Sequence, residues 1–388
     1  MASESVALKD ARGRVLAEEV TADTDLPPFD RARMDGYAMR AEDTQSVPAS
    51  LRVVGEAAAG AGWREREMRA GEAVRIMTGA PVPAGADAVQ RVEVTSESVD
   101  GQTVRIEKAA STNQFITKRA SEIRAGETVL RAGEEISASK MAVLASFGYA
   151  KVKVAKRPRV TVLATGTELV AVDKHPGADQ IRDSNSYSLA AYAELAGAQV
   201  ERLPLAGDDI ESLQREIKDA AARSDALILS GGVSMGVYDF TKAALRALDA
   251  EIFFERVSLR PGKPTVFARL NETLVFGLPG NPVSVSVTFN LFARTALRAM
   301  QGIKKEDAAL REEHAILEHA VKGSLERASY LPASLRANAD GHLIAEPLRW
   351  GGSSDFVSFA RATALVIVPE GVGKLDAGEI VTVVRLPV

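Results

Sequence analysis

One stretch in the middle of the chain, residues 224–240, constrains the fold more than any other. It reads SDALILSGGVSMGVYDF, and its apolar run at 226–229 predicts a buried strand. Ser230, Gly231 and Gly232 follow, and glycines let the backbone turn sharply and approach a ligand closely. Asp239 then precedes a helical pattern. A strand, a glycine-serine loop and a helix start are typical of a phosphate site, although two glycines alone fit an ordinary turn equally well.

The segment around this stretch, residues 157–306, alternates between strand and helix patterns. Apolar runs predict strands at 160–164, 199–205, 226–229, 252–257, 265–270 and 274–278, and periodicity predicts helices at 187–195, from 208–209, from 241 and at 283–300. This alternation predicts a doubly wound, mostly parallel sheet. Because ligands bind such sheets where the strand order reverses, we expect the loops 165–168, 207–209, 230–239 and 277–282 to meet at one edge.

Charged side chains of both signs fall on this predicted edge: Glu168, Asp208 and Asp239, and Arg256, Arg260 and Lys263. Each has a simpler explanation, because Asp208 or Asp209 and Asp239 could cap helices and the others could be solvated. An anionic ligand would need both groups, since cations hold an oxyanion and nearby carboxylates need a cation between them. Oxygen ligands select a hard ion, so the pattern favours Mg²⁺.

The two flanks of the α/β segment are β-rich. Period-two runs predict a small β domain at 25–122, where Asp35-Gly36 and Thr78-Gly79 are either plain turns or ligand contacts. Residues 123–156, with a helix at 137–147, are expected to pack with residues 1–24. The pattern of residues 307–388 predicts a barrel or sandwich, where Ser358 of a glycine-serine loop could contact a ligand, although the sequence alone favours a plain loop.

Composition excludes several classes of protein. The net charge of −4 argues against a general nucleic-acid surface, and the lack of cysteine excludes thiolate metal sites and cysteine nucleophiles. The four histidines lack metal-site spacing. Apolar runs fall short of the ~18 residues of a membrane span, and the N-terminus has no apolar signal core, so we expect a cytoplasmic protein.

Seven motifs occur in the order seen in one known family. They are PPFDRARMDGYA from Pro27, IMTGAPVP from Ile76, TGTEL from Thr165, DSN from Asp183, SGGVSMG from Ser230, PGKP from Pro261 and GLPGNP from Gly277. With these motifs the chain resembles, over nearly its whole length, the MoeA family of molybdopterin molybdenumtransferases, which includes the E domains of gephyrin and of its plant counterpart.

The resemblance implies four domains: an elongated linker domain (1–24 and 123–156), a small β domain (25–122), a molybdopterin-binding α/β domain (157–306) and a C-terminal β barrel (307–388). It implies that molybdate is joined to adenylylated molybdopterin with Mg²⁺, releasing AMP, in a homodimer whose active site lies at the subunit cleft. MogA-type adenylyltransferases and molybdoenzyme maturation proteins are the implied partners. A gephyrin-like scaffold and a molybdopterin adenylyltransferase are the alternative functions.

The resemblance also implies roles for individual residues. Asp35, Thr78 and Glu122 would be catalytic residues of the β domain, the first two reaching across the dimer cleft, and Glu168, Asp208 and Asp239 would lie by the nucleotide and its metal. Arg256 and Arg260 would hold molybdate, Pro279 and Pro282 would shape the cleft, and Arg336 and Ser358 would face it. The remaining motif residues expected to bind substrate are Thr165, Gly166, Asn185, Ser230, Gly231, Gly232, Ser234, Lys263 and Asn281. The chain departs from the family at Glu122, where aspartate is common, and at Val237, where an acidic residue is frequent.

Overall fold

A computed structural model describes residues 2–205, 209–232 and 240–387. The described chain folds into two compact units. The larger unit comprises Met1–Ala17, Gly133–Ser137 and Val152–Val388, and the smaller comprises Glu18–Ala132 and Ala138–Lys151. Both contain β structure and the larger contains most of the helices, so the predicted multi-domain α/β plus β class is confirmed. The boundaries of the four predicted domains stay a prediction.

A mixed sheet, called here the central sheet, forms the middle of the larger unit. Within the described ranges it has six strands, in the spatial order Gln199–Arg202, Arg159–Ala164, Ala226–Ser230, Thr273–Leu278, Val266–Leu270 and Glu251–Phe254. The first four are parallel, as predicted, and the last two run antiparallel to their neighbours. Only Asn271 and Glu272 separate Leu270 from Thr273, and so short a connection permits an antiparallel hairpin but no parallel crossover.

The strand order reverses beside Arg159–Ala164, because the chain continues first to Gln199–Arg202 on one side and then to Ala226–Ser230 on the other. The helices Asn185–Leu195 and Pro282–Thr288 pack on one face of the sheet, and Ile210–Arg223 and Phe240–Ala247 pack on the other. This arrangement confirms the predicted doubly wound topology.

Side chains on both faces are fully buried and explain why these segments adopt their structure. On one face Leu213 and Ile217, one helical turn apart, pack against Leu229 of the sheet. Burying an aliphatic side chain of this size contributes about 1.5–3 kcal/mol. Asp209 caps this helix, since its carboxylate accepts the Ser212 N–H at 2.7 Å.

The predicted long helix at 283–300 is present but is not uniform. An α-helix at Pro282–Thr288 continues into a π-helical turn at Phe289–Ala293 and then into the α-helix Arg294–Met300. Pro282 lies in the first turn, where its missing N–H leaves no hydrogen bond unmade.

Residues 307–387 are all described, and five of their strands close into the predicted β barrel. In order around the barrel these are Ala328–Ala337, Leu343–Pro347, Glu312–Leu317, Ile380–Arg385 and Ala364–Val368, which pairs back to Ala328–Ala337. The short strand Leu259–Arg260 pairs in parallel with Ala328–Ser329 and is not one of the five strands of the ring. That pairing was not predicted, and it joins Arg260 to the barrel. The short helices Lys305–Ala308 and Phe356–Phe359 and the strand pair Val321–Lys322 with Lys374–Leu375 complete this part of the chain.

The smaller unit is fully described and contains a second six-stranded sheet, as the period-two runs predict. Its strands, in spatial order, are Ala88–Arg91, Gly36–Met39, Glu72–Ile76, Ala49–Ala57, Thr103–Ile106 and Thr95–Glu97. Short pairs join Arg31–Ala32 to Ile116–Thr117 and Val20–Thr21 to Thr128–Leu130, and the helix Ala138–Ser146 follows. In the described part of the chain, none of the helices has the length and apolarity needed to cross a membrane.

Candidate active site

A cleft of about 1810 Å³ lies at the carboxyl edge of the central sheet. One wall consists of the loops that follow Arg159–Ala164, Ala226–Ser230 and Thr273–Leu278, and the opposite wall consists of barrel segments at 319–322 and 347–354. The first two of these strands flank the point where the strand order reverses. The cleft therefore lies where a doubly wound sheet is expected to bind its ligand.

The loop after Ala226–Ser230 requires its two glycines. Gly231 and Gly232 have φ angles of +95° and +62°. A Cβ atom on Gly231 would lie 2.4 Å from the carbonyl oxygen of Thr165, so no side chain fits there. Thr165 in turn donates its N–H to the Ser230 carbonyl at 2.9 Å. The two predicted loops are thus packed backbone against backbone, and both line the cleft.

Two asparagines fix the remaining loops. Asn185 donates from Nδ2 to Ser230 Oγ at 2.9 Å and to the Gly280 carbonyl at 2.7 Å, and its buried Oδ1 has no hydrogen-bond partner among the described residues. Asn281 donates from Nδ2 to Ser353 Oγ at 2.8 Å, which couples this loop to the barrel. The predicted residues Thr165, Gly166, Asn185, Ser230, Gly231, Gly232, Pro279, Asn281 and Pro282 all line this one cleft.

The charge of the cleft is opposite to that of the whole chain. The described residues that line it include six cations, which are Arg182, Arg260, Lys263, Lys322, Arg327 and Arg349, and two carboxylates, which are Glu168 and Asp183. Asp183 is buried and accepts hydrogen bonds from the backbone N–H and the hydroxyl of Ser186. Within the described ranges no hydrogen bond or ion pair holds the exposed Glu168 carboxylate. The cleft is therefore suited to an anion with several charges, although the chain carries a net charge of −4.

The predicted cations occupy different places. Arg260 and Lys263 line the cleft, as does the loop between them. Arg256 follows Glu251–Phe254, the edge strand that lies two strands beyond Thr273–Leu278, and it is not among the described residues that line the cleft. Three strand spacings separate Glu251–Phe254 from Ala226–Ser230, or about 14 Å.

Two predicted barrel residues lie outside the described lining of the cleft. Arg336 pairs with Glu318 at 2.6 Å, and the N–H of Ser358 donates to Asp355 at 3.1 Å. Sequence reasoning missed the barrel residues that do line it, among them Lys322, Arg327, Arg349, Trp350 and Ser353. They are scattered over 32 positions and have no common motif, so only the closure of the barrel brings them together.

Three predicted site residues, Asp208, Ser234 and Asp239, lie outside the described residues, as does Val237. Of the predicted Mg²⁺ ligands, the structure therefore describes Glu168 alone. In the described ranges, no group of three or more His, Asp or Glu side chains could hold a metal ion. A carboxylate without a partner beside a loop of open backbone fits a hard cation, but Glu168 by itself is one ligand of an incomplete set.

The smaller unit brings two predicted residues together. Asp35 Oδ1 accepts both the N–H and the hydroxyl of Thr78, each at 2.7 Å. These two hydrogen bonds, the backbone one first, hold the pKa of Asp35 below its ordinary value, so the exposed carboxylate is ionised at neutral pH. Glu122, the third predicted residue of this unit, pairs with Arg31 at 3.1 Å and is half exposed.

The fold and the cleft together define a class of protein: a doubly wound α/β protein whose cationic cleft is closed on one side by a β barrel. Three family models match the chain: the MoeA N-terminal region (domain I and II) over residues 1–148, a probable molybdopterin binding domain over 161–299 and the MoeA C-terminal region (domain IV) over 314–386. The chain belongs to the MoeA family, and with it to the transferases of molybdenum cofactor biosynthesis.

Individual relatives and solved structures agree with this assignment. The molybdopterin molybdenumtransferase of Bacillus subtilis (strain 168) is 36% identical over 395 residues, which cover 99% of this chain and 90% of the relative. That of Staphylococcus aureus (strain COL) is 34% identical over 391 residues, covering 99% and 91%. Two crystal structures of the molybdopterin biosynthesis MoeA protein of Pyrococcus horikoshii align with TM-scores of 0.80 and 0.84 at 34% and 28% identity. They cover 99% of this chain and 94% and 95% of theirs.

Proposed function

We propose that the protein inserts molybdenum from molybdate into adenylylated molybdopterin and releases Mo-molybdopterin and AMP. The observation that carries this proposal is the excess of cations, six against two carboxylates among the described residues, in the cleft at the strand-order reversal. Both reactants are anions and repel each other. Cations fixed by the fold before the reactants arrive offset this repulsion and stabilise charge on the departing AMP.

In this proposal different groups of residues bind different parts of the substrates. The open backbone at Gly231 and Gly232, together with Thr165, Gly166, Asn185 and Ser234, holds the pterin and its phosphates. Arg260 and Lys263 hold the oxyanion, with Arg256 as a further cation of the same edge. The segment that connects the central sheet to the helix Pro282–Thr288 holds its side of the cleft in shape. It contains Pro279, Asn281 and Pro282.

Mg²⁺ would be held by Glu168 with Asp208 and Asp239. When bound, it would neutralise charge on the phosphates of the substrate. Support for this role comes from Glu168, whose carboxylate faces a cationic cleft without a partner among the described residues. The role of the chain itself is to keep that carboxylate in place: the Glu168 carbonyl accepts the Ile181 N–H at 2.8 Å, which ties the loop to Ile181–Arg182.

The test follows AMP over time with purified protein, adenylylated molybdopterin, molybdate and Mg²⁺. Glu168→Gln removes the charge at nearly constant volume, and we expect the rate of AMP release to fall at least about 100-fold. Glu201→Gln is the matched control, because Glu201 is an exposed carboxylate of the same sheet that pairs with Arg223. Equal rates for both variants and the wild type would contradict the proposal. AMP-pterin formation from ATP and unadenylylated molybdopterin would instead favour an adenylyltransferase.

We further propose that the protein is a homodimer in which Asp35, Thr78 and Glu122 of one subunit complete the cleft of the other, beside Arg336 and Ser358. The exposed, hydrogen-bonded pair of Asp35 and Thr78 supports this, since an ionised carboxylate fixed by two donors is ready to meet a ligand. Mixing inactive Asp35→Asn with inactive Glu168→Gln should restore about a quarter of the wild-type activity, because half of the dimers are mixed and each has one intact site. No restored activity after subunit exchange would place the site within one chain.

The chemistry also suggests where the protein works. Its adenylylated substrate requires a preceding adenylyl transfer, as a MogA-type enzyme would provide, and its product would pass to proteins that mature molybdoenzymes. We propose a cytoplasmic location for these steps. A pull-down with tagged protein at low salt, repeated with the Glu168→Gln variant, would test for both kinds of partner.

A further inference from the structure

One arginine of the barrel wall is only partly accounted for by the fold. Arg327 lines the cleft and is half-buried. Its Nη1 donates to the Leu259 carbonyl at 3.3 Å, whereas its Nε is buried and lacks a hydrogen-bond partner within the described ranges. Among the described residues it forms no ion pair either. A positive charge is thus taken partly out of water without a counter-charge.

Two other arginines of the same unit have a carboxylate partner. Arg14 has only 9% of its side chain exposed and pairs with Glu4, and Arg298, whose Nε is also buried without a partner among the described residues, pairs with Glu135. Burying a charge is costly unless it is paired, and a donor left unsatisfied adds to the cost. The cost at Arg327 is understandable if a ligand supplies the missing anion.

The surroundings of Arg327 contain a second open cation. In the short parallel pairing that joins Leu259–Arg260 to the barrel, the backbone of Arg260 lies opposite that of Ser329. Arg327 is two residues before Ser329. The only hydrogen bond of the Arg260 guanidinium to a described residue goes to the Gly323 carbonyl, at 3.4 Å. Ser329 Oγ is buried and also has no partner in the described part of the chain. Arg260 and Arg327 thus lie at the same strand pairing and both line the cleft, and an anion bound by both would offset the repulsion between their charges.

We propose that Arg327 is a substrate-binding residue that, beside Arg260, binds a tetrahedral oxyanion. The planar fork of an arginine matches two oxygens of such an anion, and its free Nε supplies one of the two donors. Both the adenylyl phosphate and molybdate have this chemistry. The choice of these two anions rests on the proposed function. The inference adds Arg327 of the barrel wall to the residues that bind the charged groups of the substrates.

The experiment measures anion binding to the full chain by titration calorimetry, with molybdate alone and with AMP alone as probes. Arg327→Gln should weaken binding of one of them at least about tenfold, the usual effect of losing a charged hydrogen bond. Loss with molybdate only would identify molybdate as the anion, and loss with AMP only would identify the adenylyl phosphate. Trp350, which also lines the cleft, offers a second signal through its fluorescence in a Trp63→Phe background.

The controls separate binding from folding. Arg385→Gln removes one charge from the same barrel at a residue that pairs with Glu313, and it should leave both affinities within about twofold of wild type. Arg327→Lys keeps the charge but loses Nε, so its loss of affinity should be smaller than that of Arg327→Gln. If Arg327→Gln does not fold, Arg327→Lys carries the test, with a loss of about threefold expected.

The inference is overturned if the folded Arg327 variants bind both anions as the wild type does. Failure of the proposed function is a different result, because it is seen in the wild-type protein as a lack of AMP release. In steady-state assays Arg327→Gln should raise KM for the substrate that supplies the anion more than it lowers kcat. A variant with unchanged KM and unchanged affinities would leave Arg327 with a structural role only.

Discussion

Two groups of arginines, one in each unit, are held in contrasting ways. In the smaller unit Glu72 is almost fully buried and accepts two hydrogen bonds from Arg66, at 2.7 and 2.9 Å, with a third from the Arg69 N–H and an ion pair to Arg52. In the cleft of the larger unit Arg260 and Arg327 reach only backbone carbonyls among the described residues, at 3.4 and 3.3 Å. The arginines around Glu72 have a carboxylate partner, and we call this cluster closed. Arg260 and Arg327 have no carboxylate partner among the described residues, and we call them open cations.

The difference separates charges that serve stability from charges that serve binding. The hydrogen bonds from Arg66, more than any other contribution, lower the pKa of Glu72 to about 2, which shows how strongly its ionised form is held. A closed cluster has no capacity left for a ligand. Open cations do nothing for folding and repel each other, but they keep their hydrogen-bonding capacity for an anion that arrives later.

The largest effect should come from removing open cations. We expect Arg260→Gln combined with Lys263→Gln to lower kcat/KM for AMP release about 100- to 1000-fold, because both charges are proposed to face the reacting anions. The melting temperature should stay equal or rise slightly, since two like charges leave the same cleft. Arg269→Gln, which removes a cation of the same sheet that pairs with Glu251, is the control. A large fall in melting temperature with unchanged kcat/KM would show that Arg260 and Lys263 serve stability and not binding.

The closed cluster should show the opposite behaviour. Glu72→Gln leaves four N–H donors, from Arg52, Arg66 and Arg69, around a neutral side chain, and we expect the free energy of unfolding to fall by about 2–3 kcal/mol. The activity per folded molecule should not change. Calorimetric melting measures the free energy of unfolding, and the AMP assay measures the activity per folded molecule. Glu107→Gln breaks an exposed pair with Arg105 in the same unit and should cost far less.

The sequence predicted most of the fold because buried strands and helices have a periodic pattern. The strand predicted at 226–229 is present at Ala226–Ser230, and the helix predicted at 283–300 spans Pro282 to Met300 with a π-helical turn. The parallel pair of Leu169–Val170 with Ile181–Arg182 was not predicted. Strands of two residues are too short for a pattern, and their pairing depends on the rest of the fold.

The candidate site could be predicted on one wall only. Glycines such as Gly231 are visible in a sequence, because a sharp turn after a buried strand requires them. The cations of the barrel wall, such as Arg327, belong to no motif and resemble single residues of a solvated surface. Burial and the absence of a counter-charge distinguish them, and both are properties of the folded chain. For the same reason the sequence does not indicate which arginines surround Glu72.

The pH dependence of stability sharpens the comparison further. Since folding lowers the pKa of Glu72 from 4.5 to about 2, its contribution to stability is complete above pH 4.5 and is lost as the pH falls toward 2. We expect the difference in stability between wild type and Glu72→Gln to fall to about 40% of its neutral value by pH 3. Titrations of other carboxylates occur in both proteins and cancel. A difference that stays constant from pH 7 to pH 3 would show that Glu72 does not act through its charge.

The smallest effect is expected at an ion pair that resembles the Glu72 cluster in geometry but not in burial. Asp225 accepts hydrogen bonds from the side chain and the backbone N–H of Arg159, and the side-chain hydrogen bonds are the main cause of its lowered pKa. About half of each side chain is exposed, so water and salt screen the pair. Asp225→Asn keeps one acceptor oxygen and should lower the free energy of unfolding by less than about 1 kcal/mol.

This loss at Asp225 should nearly vanish in 0.5 M salt, whereas the loss caused by Glu72→Gln should persist, because a buried pair is screened much less. Melting curves of both variants at low and high salt provide the comparison, and the wild type at each salt concentration is the reference. Equal salt sensitivity at the two sites would mean that hydrogen-bond geometry, and not burial, sets the strength of a closed cluster. The distinction drawn between closed and open cations would then have to rest on pairing alone.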